Sequence, residues 1–352
     1  MGAYTDPYKT CWVDIKIVTN IQSSVAGCPS CLWRSKMKTK RFLIVLLIIA
    51  LLSLQASCGS LKDYLANYKG SLWSPTVGDM IYLESANDTY MFGKPYGPQG
   101  LIMTTLTYNV LVSRHEVTNI AFAEFMNDGG YTNQAYWTTA GWSYITANGI
   151  TRPYYWLDLA SAPEQPVVGL SWHEAVAFTN WLSIKEGFPV AYDSSGRIID
   201  LLSDGYRLPT EVEWEYAASK GDPSETERLY AWGNSWNCGK VVCSVPPCGS
   251  PSSYLQAVGS KSPGGDTPQG LSDMSGNASE MVSDTYSPLI PNVPLTNGYI
   301  FDAQVDLIIY RGGGWPNTGA LAFETSHREY MHVETRTENY IGFRVARTYP
   351  IQ

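Results

Sequence analysis

One stretch of the chain decides most about the fold, and its sequence is GYRLPTEVEWEYAA over residues 205–218. Thr210 and Glu213 form a capping box, in which each side chain accepts a hydrogen bond from a free backbone N–H at a helix start. The stretch therefore predicts a helix that begins after Thr210, carries apolar residues such as Trp214, and ends near Gly221. Arg207 precedes this helix, and its planar guanidinium can bind a carboxylate through two hydrogen bonds.

Two more helices have clear start signals. Thr118 can cap a helix that Gly129-Gly130 would end. Ser171 and Glu174 form a second capping box, ahead of a helix that stops at Gly187.

Strand signals are shorter and more scattered. Runs rich in β-branched and aromatic residues occur at 80–83 and 101–106. After Gly221 the chain is rich in Gly, Pro, Ser and Asn and has only short apolar runs, which is typical of loops and short strands. We therefore predict an α+β fold that is irregular and loop-rich.

Composition and charge exclude several classes of protein. With 352 residues, 13% aromatic and only 16% charged residues, the chain is too aromatic and too weakly charged to be disordered. Outside residues 1–57 it holds 30 acidic and 17 basic residues. Nucleic-acid binding needs the opposite, a basic footprint, so no nucleic-acid partner is expected.

The amino-terminal region indicates export. The basic residues of segment 38–41 precede a 13-residue apolar run over 42–54, which is too short to span a bilayer but has the length of a secretory signal core. We expect 37–57 to be a signal peptide, and 1–36, ahead of Met37, to be untranslated or not retained. The sequence LQASC over 54–58 resembles a lipoprotein cleavage box.

Cys58 is therefore the expected lipidation site, with plain cleavage near Ala56 as the alternative. The expected location is the bacterial outer membrane, periplasm or cell surface, through a lipid anchor in the membrane. Beyond Cys58, the mature chain has Cys238, Cys243 and Cys248. An oxidising compartment favours a disulfide among these three, which leaves one thiol over, and the sequence does not determine the pairing.

Several short motifs follow one another in a definite order along the chain. They are EVTN (116–119), PVVGLSW (166–172), the 205–218 stretch, AWGN (231–234), GLSDMSGN (270–277), RGGGW (311–315) and GFR (342–344). In order and spacing they resemble the formylglycine-generating enzyme family, also called sulfatase-modifying factor domains. The resemblance covers about 77–348, after a linker over 58–76, and implies a fold related to C-type lectins.

The resemblance also implies a calcium site. The matching positions are the side chains of Asp273 and Glu280 and the backbone carbonyls of Gly276 and Ala278. Carboxylate and carbonyl oxygens are the ligands that calcium prefers. The alternative is a turn with solvated acidic side chains.

The catalytic cysteines of the family are not retained. Enzymatic members carry two cysteines, spaced C-x4-C after an Arg-Gly-Gly-Ser turn, and these bind copper. The matching positions here are Asn317 and Ala322, and residues 311–352 contain no cysteine. Because neither side chain can form the thiolate that Cu(I) prefers, we expect no catalytic residues and no copper.

We therefore interpret the chain as an exported, lipid-anchored, non-catalytic protein that binds an unidentified protein or small-molecule ligand. The segment between Gly314 and Gly342 would form the binding face, with the candidate contact residues Trp315, Asn317, Phe323, His327, Arg328, Tyr330 and His332. Two alternatives remain open. One is a structural lipoprotein of an envelope machine for gliding or secretion. The other is an oxidoreductase of the family with an altered active site.

Overall fold

A computed structural model describes residues 71–94, 100–156, 162–248, 254–288 and 293–349. The predictions for the signal peptide and for lipidation at Cys58 lie outside these ranges. Within them, no helix is both long and apolar enough to cross a bilayer.

Four α-helices form in the described ranges: α1 Asn119–Asn127, α2 Thr139–Ala147, α3 Trp172–Glu186 and α4 Glu211–Ser219. Three of them begin at the predicted caps, and both predicted capping boxes are present. Gly187 ends α3 in the left-handed conformation, with φ 81°. The sequence did not indicate α2, because its residues TAGWSYITA have weak helix propensity; Thr138 caps it by accepting from the N–H of Gly141.

Eleven strands are present in the same ranges: β1 Ser71–Ser74, β2 Gly78–Leu83, β3 Thr89–Gly93, β4 Leu101–Thr105, β5 Asn109–Ser113, β6 Ser279–Thr285, β7 Leu295–Thr296, β8 Leu307–Arg311, β9 Arg328–His332, β10 Ile341–Gly342 and β11 Ala346–Tyr349. They form three small sheets with the orders β1-β2-β5-β11, β10-β6-β8-β9 and β3-β4-β7. Most neighbours are antiparallel, while β10 with β6 and β4 with β7 are parallel. The α+β prediction is confirmed.

The first strand lies inside the segment that the sequence analysis assigned to a linker. β1 pairs antiparallel with β2, and Ser71 lies opposite Ile81. The sheet therefore begins before residue 77. The sequence gives little sign of β1, since only two of its four residues SLWS are apolar and one of these, Trp73, is 70% exposed.

Aromatic rings from α1, α3 and the GFR motif form the centre of the core. Phe122 of α1 stacks on Phe178 of α3, with ring centroids 5.6 Å apart. Phe343 meets both rings edge-on. All three side chains are fully buried, so the carboxyl-terminal motif closes the core that the first and third helices build.

Three buried arginines connect the remaining elements. Arg207, Arg311 and Arg344 are each at most 1% exposed. Each pairs with buried glutamates, and these pairs are Arg207–Glu213, Arg311–Glu211, Arg311–Glu215 and Arg344–Glu280. The forked binding predicted for Arg207 is confirmed, and Arg344 binds Glu280 in the same way. Removing one partner of such a pair costs about 3–5 kcal/mol, because the other charge is left buried without compensation.

Asp284 on β6 is a buried carboxylate with no arginine partner among the described residues. Its oxygens accept the backbone N–H groups of Glu211 and Ile300 at 2.7 and 2.9 Å. Burial, reinforced by the negative charge of Glu211, raises the pKa of Asp284 to about 8. Since this lies above the unfolded value of about 4, stability that is full below pH 4 is lost as the pH rises to about 8.

We predict that Asp284→Asn removes this pH dependence. The free energy of unfolding of the parent should fall between about pH 4 and 8, by up to about 1.4 kcal/mol per pH unit from this group. The variant loses one acceptor, so it should be less stable than the parent at pH 5 and should approach or exceed it at pH 8.5. Urea denaturation across this range measures the difference, with the exposed Asp200→Asn as control. Parallel curves for Asp284→Asn and parent would contradict the prediction.

Candidate functional site

The turn that follows β8 is the centre of the candidate site. Gly312 and Gly313 have φ values of 91° and 68°, in the left-handed region that favours glycine. Hydrogen bonds join this turn to the GLSDMSGN loop, from the N–H of Gly276 to the carbonyl of Gly312 and from the N–H of Trp315 to that of Asn277. Two motifs far apart in sequence therefore form one rigid structure.

Asn317 and Ala322, which the resemblance matches to the family's cysteines, both contact this turn. The Asn317 side-chain oxygen accepts the N–H of Gly314 at 2.7 Å. Ala322 lies in the 3-10 helix Ala320–Phe323, and its carbonyl oxygen would lie 2.6 Å from a Cβ placed on Gly313. Neither side chain supplies a thiolate.

The three cysteines of segment 238–248 lie close to the same place. Cys238 and Cys248 form a disulfide, and Cys243 is a buried free thiol. Cys243 belongs to an apolar cluster that contains Phe323 and is lined by Ala322 and Cys248. The fold thus brings this loop beside the second cysteine position of the family. Burial raises the pKa of the Cys243 thiol, which disfavours the nucleophilic thiolate.

The predicted calcium ligands are buried and already hydrogen-bonded. Glu280 accepts from both Arg344 and the indole N–H of Trp214. Asp273 accepts the N–H of Gly259 at 2.6 Å. In the described part of the chain, no group of three or more His, Cys, Asp or Glu side chains is arranged to hold a metal. A calcium ion at these positions would have to share Glu280 with Arg344.

A third carboxylate, Glu116, completes this buried cluster. Its Oε1 accepts from the side-chain amide of Asn277 and the N–H of Ala278, and its Oε2 has no hydrogen-bond partner among the described residues. Burial and the negative charges of Asp273 and Glu280 raise its pKa. The EVTN motif did not by itself indicate a role for Glu116, and the signal available in the sequence was an acidic residue two positions before the helix cap Thr118.

Burial also raises the pKa of Asp273, to about 6. Both pKa shifts favour protonation of the cluster, and a proton on either carboxylate reduces the negative charge that faces Arg344. The donors fit calcium only in part, and calcium at Asp273, Gly276, Ala278 and Glu280 stays a prediction.

The predicted binding face is only partly at the surface. Phe323 is fully buried in the cysteine cluster, so its assignment as a contact residue is wrong. Trp315 is 9% exposed, and its indole N–H donates to the carbonyl of Asn339. Arg328 donates to both carboxylate oxygens of Glu211 at 2.8 Å. Sequence could not separate these from surface residues, because aromatic and arginine side chains serve both in cores and in recognition.

The exposed part of the face lies on β9. Successive side chains of a strand point to opposite sides, so Arg328, Tyr330 and His332 share the side opposite the buried Met331. Tyr330 is 50% exposed and its ring lies 4.1 Å from that of Tyr286. β9 is also the last strand of its sheet in the order β10-β6-β8-β9.

Residues 103–349 match the family described as the sulfatase-modifying factor enzyme 1-like domain. The chain belongs to this family. The resemblance inferred from the motifs is therefore confirmed. Among relatives of this sulfatase-modifying factor domain, a hercynine oxygenase from Mycolicibacterium thermoresistibile is 26% identical over 251 residues, which cover 67% of this chain and 50% of that protein. A formylglycine-generating enzyme from Mycobacterium tuberculosis is 28% identical over 233 residues, with 55% and 69% covered.

Solved structures share the fold. Treponema denticola variable protein 1 has a TM-score of 0.59 at 21% identity, covering 77% of this chain and 95% of that one. PvdO from Pseudomonas aeruginosa has a TM-score of 0.56 at 20% identity, covering 80% and 98%. The chain spans about half the length of the hercynine oxygenases it matches.

We predict that calcium, if held by Asp273, stabilises this sulfatase-modifying factor domain. At a free concentration 100 times the dissociation constant, the gain is about 2.7 kcal/mol by mass action. EDTA should lower the melting temperature of the parent but not that of Asp273→Asn. The exposed Asp200→Asn should keep the parent's sensitivity. Melting curves of the parent that coincide with and without chelator would exclude the site.

Proposed function

We propose that this protein is an exported, lipid-anchored, non-catalytic binding protein on a sulfatase-modifying factor scaffold. The observation that carries the proposal is the role of Asn317, which holds the N–H of Gly314 where the family's enzymes carry a cysteine. The backbone carbonyl of Ala322 lies against Gly313 of the same turn. The free thiol of the described residues, Cys243, is buried and has a raised pKa.

The outer side of β9 supplies the proposed contact surface. Arg328 lies 5.7 Å from the ring of Tyr286, which in turn packs on the half-exposed Tyr330. Rigid aromatic side chains and arginine are the groups that most often anchor a binding partner. The pairing of Arg328 with Glu211 fixes this surface to α4 before any partner arrives, which lowers the entropic cost of binding.

One relative supports a role without catalysis. A mouse protein named inactive C-alpha-formylglycine-generating enzyme 2 is 25% identical over 267 residues, which cover 65% of this chain and 72% of that protein. Other relatives are named oxygenases and formylglycine-generating enzymes, and these favour the oxidoreductase alternative. The specific observation for that alternative is the position of Cys243 beside Ala322.

We predict binding without turnover. The purified protein should neither take up Cu(I) stoichiometrically nor convert the cysteine of a sulfatase-motif peptide to formylglycine, as measured by copper analysis and mass spectrometry. Cys243→Ser is the matched variant. Copper-dependent turnover that this substitution abolishes would overturn the proposal in favour of an oxidoreductase with a relocated thiol.

Binding is measured separately, with a panel of immobilised glycans and peptides. Partners should be lost by Tyr330→Ser and kept by Tyr154→Ser, at a tyrosine that is also exposed, 61% compared with 50% for Tyr330. Partners that bind Tyr330→Ser as well as the parent would refute the assigned surface. Absence of any partner, together with co-purification in an envelope assembly, would favour the structural lipoprotein.

The lipid anchor gives a separate prediction, motivated by the LQASC sequence at 54–58. Expressed in a bacterial host, the protein should begin at Cys58, carry acyl chains and partition with membranes. Cys58→Ala should release it into the soluble fraction or leave it unprocessed. Intact-mass analysis decides: a mature protein that retains Trp12 would exclude this processing.

A further inference from the structure

A second concave site lies away from the RGGG turn, and the function proposed above does not use it. The cavity has a volume of about 290 Å³ and is bounded by the start of α3, the segment 301–306 and the end of β9. It lies at the Leu307 end of β8, where His332 is the opposite residue. The RGGG turn follows Arg311 at the other end, roughly 13 Å along the strand at the usual rise.

The rim of this cavity is negatively charged. Asp302, Asp306 and Glu334 line it, and all three are exposed. A positive group beside the rim is Arg197, whose guanidinium lies 5.4 Å from the ring of Phe301 and donates to the carbonyl of that residue. Three carboxylates against one guanidinium leave an excess of negative charge, which attracts a cation.

A buried imidazole lines the cavity as well. His173 is 6% exposed, and its Nδ1 lies 3.3 Å from the hydroxyl oxygen of Thr138. That oxygen also accepts the N–H of Gly141, and a hydroxyl has two acceptor lone pairs. With the hydrogen on Nδ1, the ring donates to Thr138 and leaves the lone pair of Nε2 free. Among the described residues, Nε2 has no hydrogen-bond partner.

The charge state of His173 allows Nε2 to accept a hydrogen bond from a ligand. Burial, assisted by His332, lowers the pKa of His173 to about 4. The ring is therefore neutral at pH 7 and can accept a hydrogen bond. Because His173 lines the cavity, Nε2 can accept a hydrogen bond from a donor group of a ligand bound there.

Apolar groups form the rest of the wall. Trp172, Phe301, Ile308 and Val333 line the cavity. Its volume is near the lower limit for small-molecule sites, about 300 Å³. Aromatic rings also attract cations through the negative charge on their faces.

We propose that this cavity binds a small primary amine in its ammonium form, with a short apolar or aromatic body. The ammonium group donates to Nε2 of His173 and lies among the rim carboxylates. The body packs on Trp172 and its apolar neighbours. A metal ion fits less well, because no three suitable side chains in the described part of the chain converge there.

The test is a calorimetric titration of the full exported chain with phenethylamine at pH 7.5. Two analogues with a similar body, 2-phenylethanol and 3-phenylpropanoate, provide the neutral and anionic comparisons. Phenethylamine should bind and the analogues should not. The variant Asp302→Asn/Asp306→Asn/Glu334→Gln should weaken binding roughly tenfold, as expected for the loss of several partly exposed charge interactions.

Two further variants test whether binding takes place inside this cavity. Ala140→Trp, at an exposed residue of the cavity wall, should block binding by filling the space. Glu164→Gln, an exposed acid elsewhere, should leave it unchanged, and melting curves confirm that every variant folds. Equal binding of 2-phenylethanol would overturn the proposal. So would phenethylamine binding that is unchanged in both the triple rim variant and Ala140→Trp. So would stoichiometric Zn²⁺ binding that His332→Ala abolishes, in the absence of amine binding.

Discussion

The fold depends above all on the buried guanidinium of Arg344. Its five N–H donors are all used: two bind Glu280, and the others bind the backbone carbonyls of Ser113, Arg114 and Ser272. The side chain thus joins the carboxyl terminus, the end of β5, the GLSDMSGN loop and β6. An arginine is needed because no other residue offers so many donors in a rigid plane. The cost of burying its charge is offset by Glu280, which also accepts the indole N–H of Trp214.

Local signals were predictable from the sequence, and long-range packing was not. Capping boxes such as Ser171 with Glu174 involve residues three apart, so the helix starts follow from the sequence alone. β1 and α2 have no such signal and form because neighbouring elements hold them. The burial of Phe323 is of the same kind, since it depends on contact with the cysteine loop about eighty residues earlier. For the site, the sequence identified the loss of thiols but not the carboxylate of Glu116 or the cavity at His173.

Family membership fixes the scaffold and leaves the chemistry to individual positions. Asn317 shows this most clearly, because an amide at a former cysteine position now stabilises the turn that such cysteines follow. The turn has left-handed glycines at Gly312 and Gly313 and is held to the neighbouring loop by two backbone hydrogen bonds. On the proposed function, this chain keeps the parts that shape the site and lacks the thiols that react in the family's enzymes.

The alternation along β9 has an evolutionary consequence. Met331 faces the core, whereas Tyr330 and His332 face outward and contribute little to the core. Surface substitutions away from packed features change stability by about 0.5 kcal/mol or less. Positions 330 and 332 can therefore be exchanged while the strand keeps its register with β8 through its backbone. Descendants of this chain could therefore acquire new binding preferences by single substitutions at these positions, with almost no loss of folding stability.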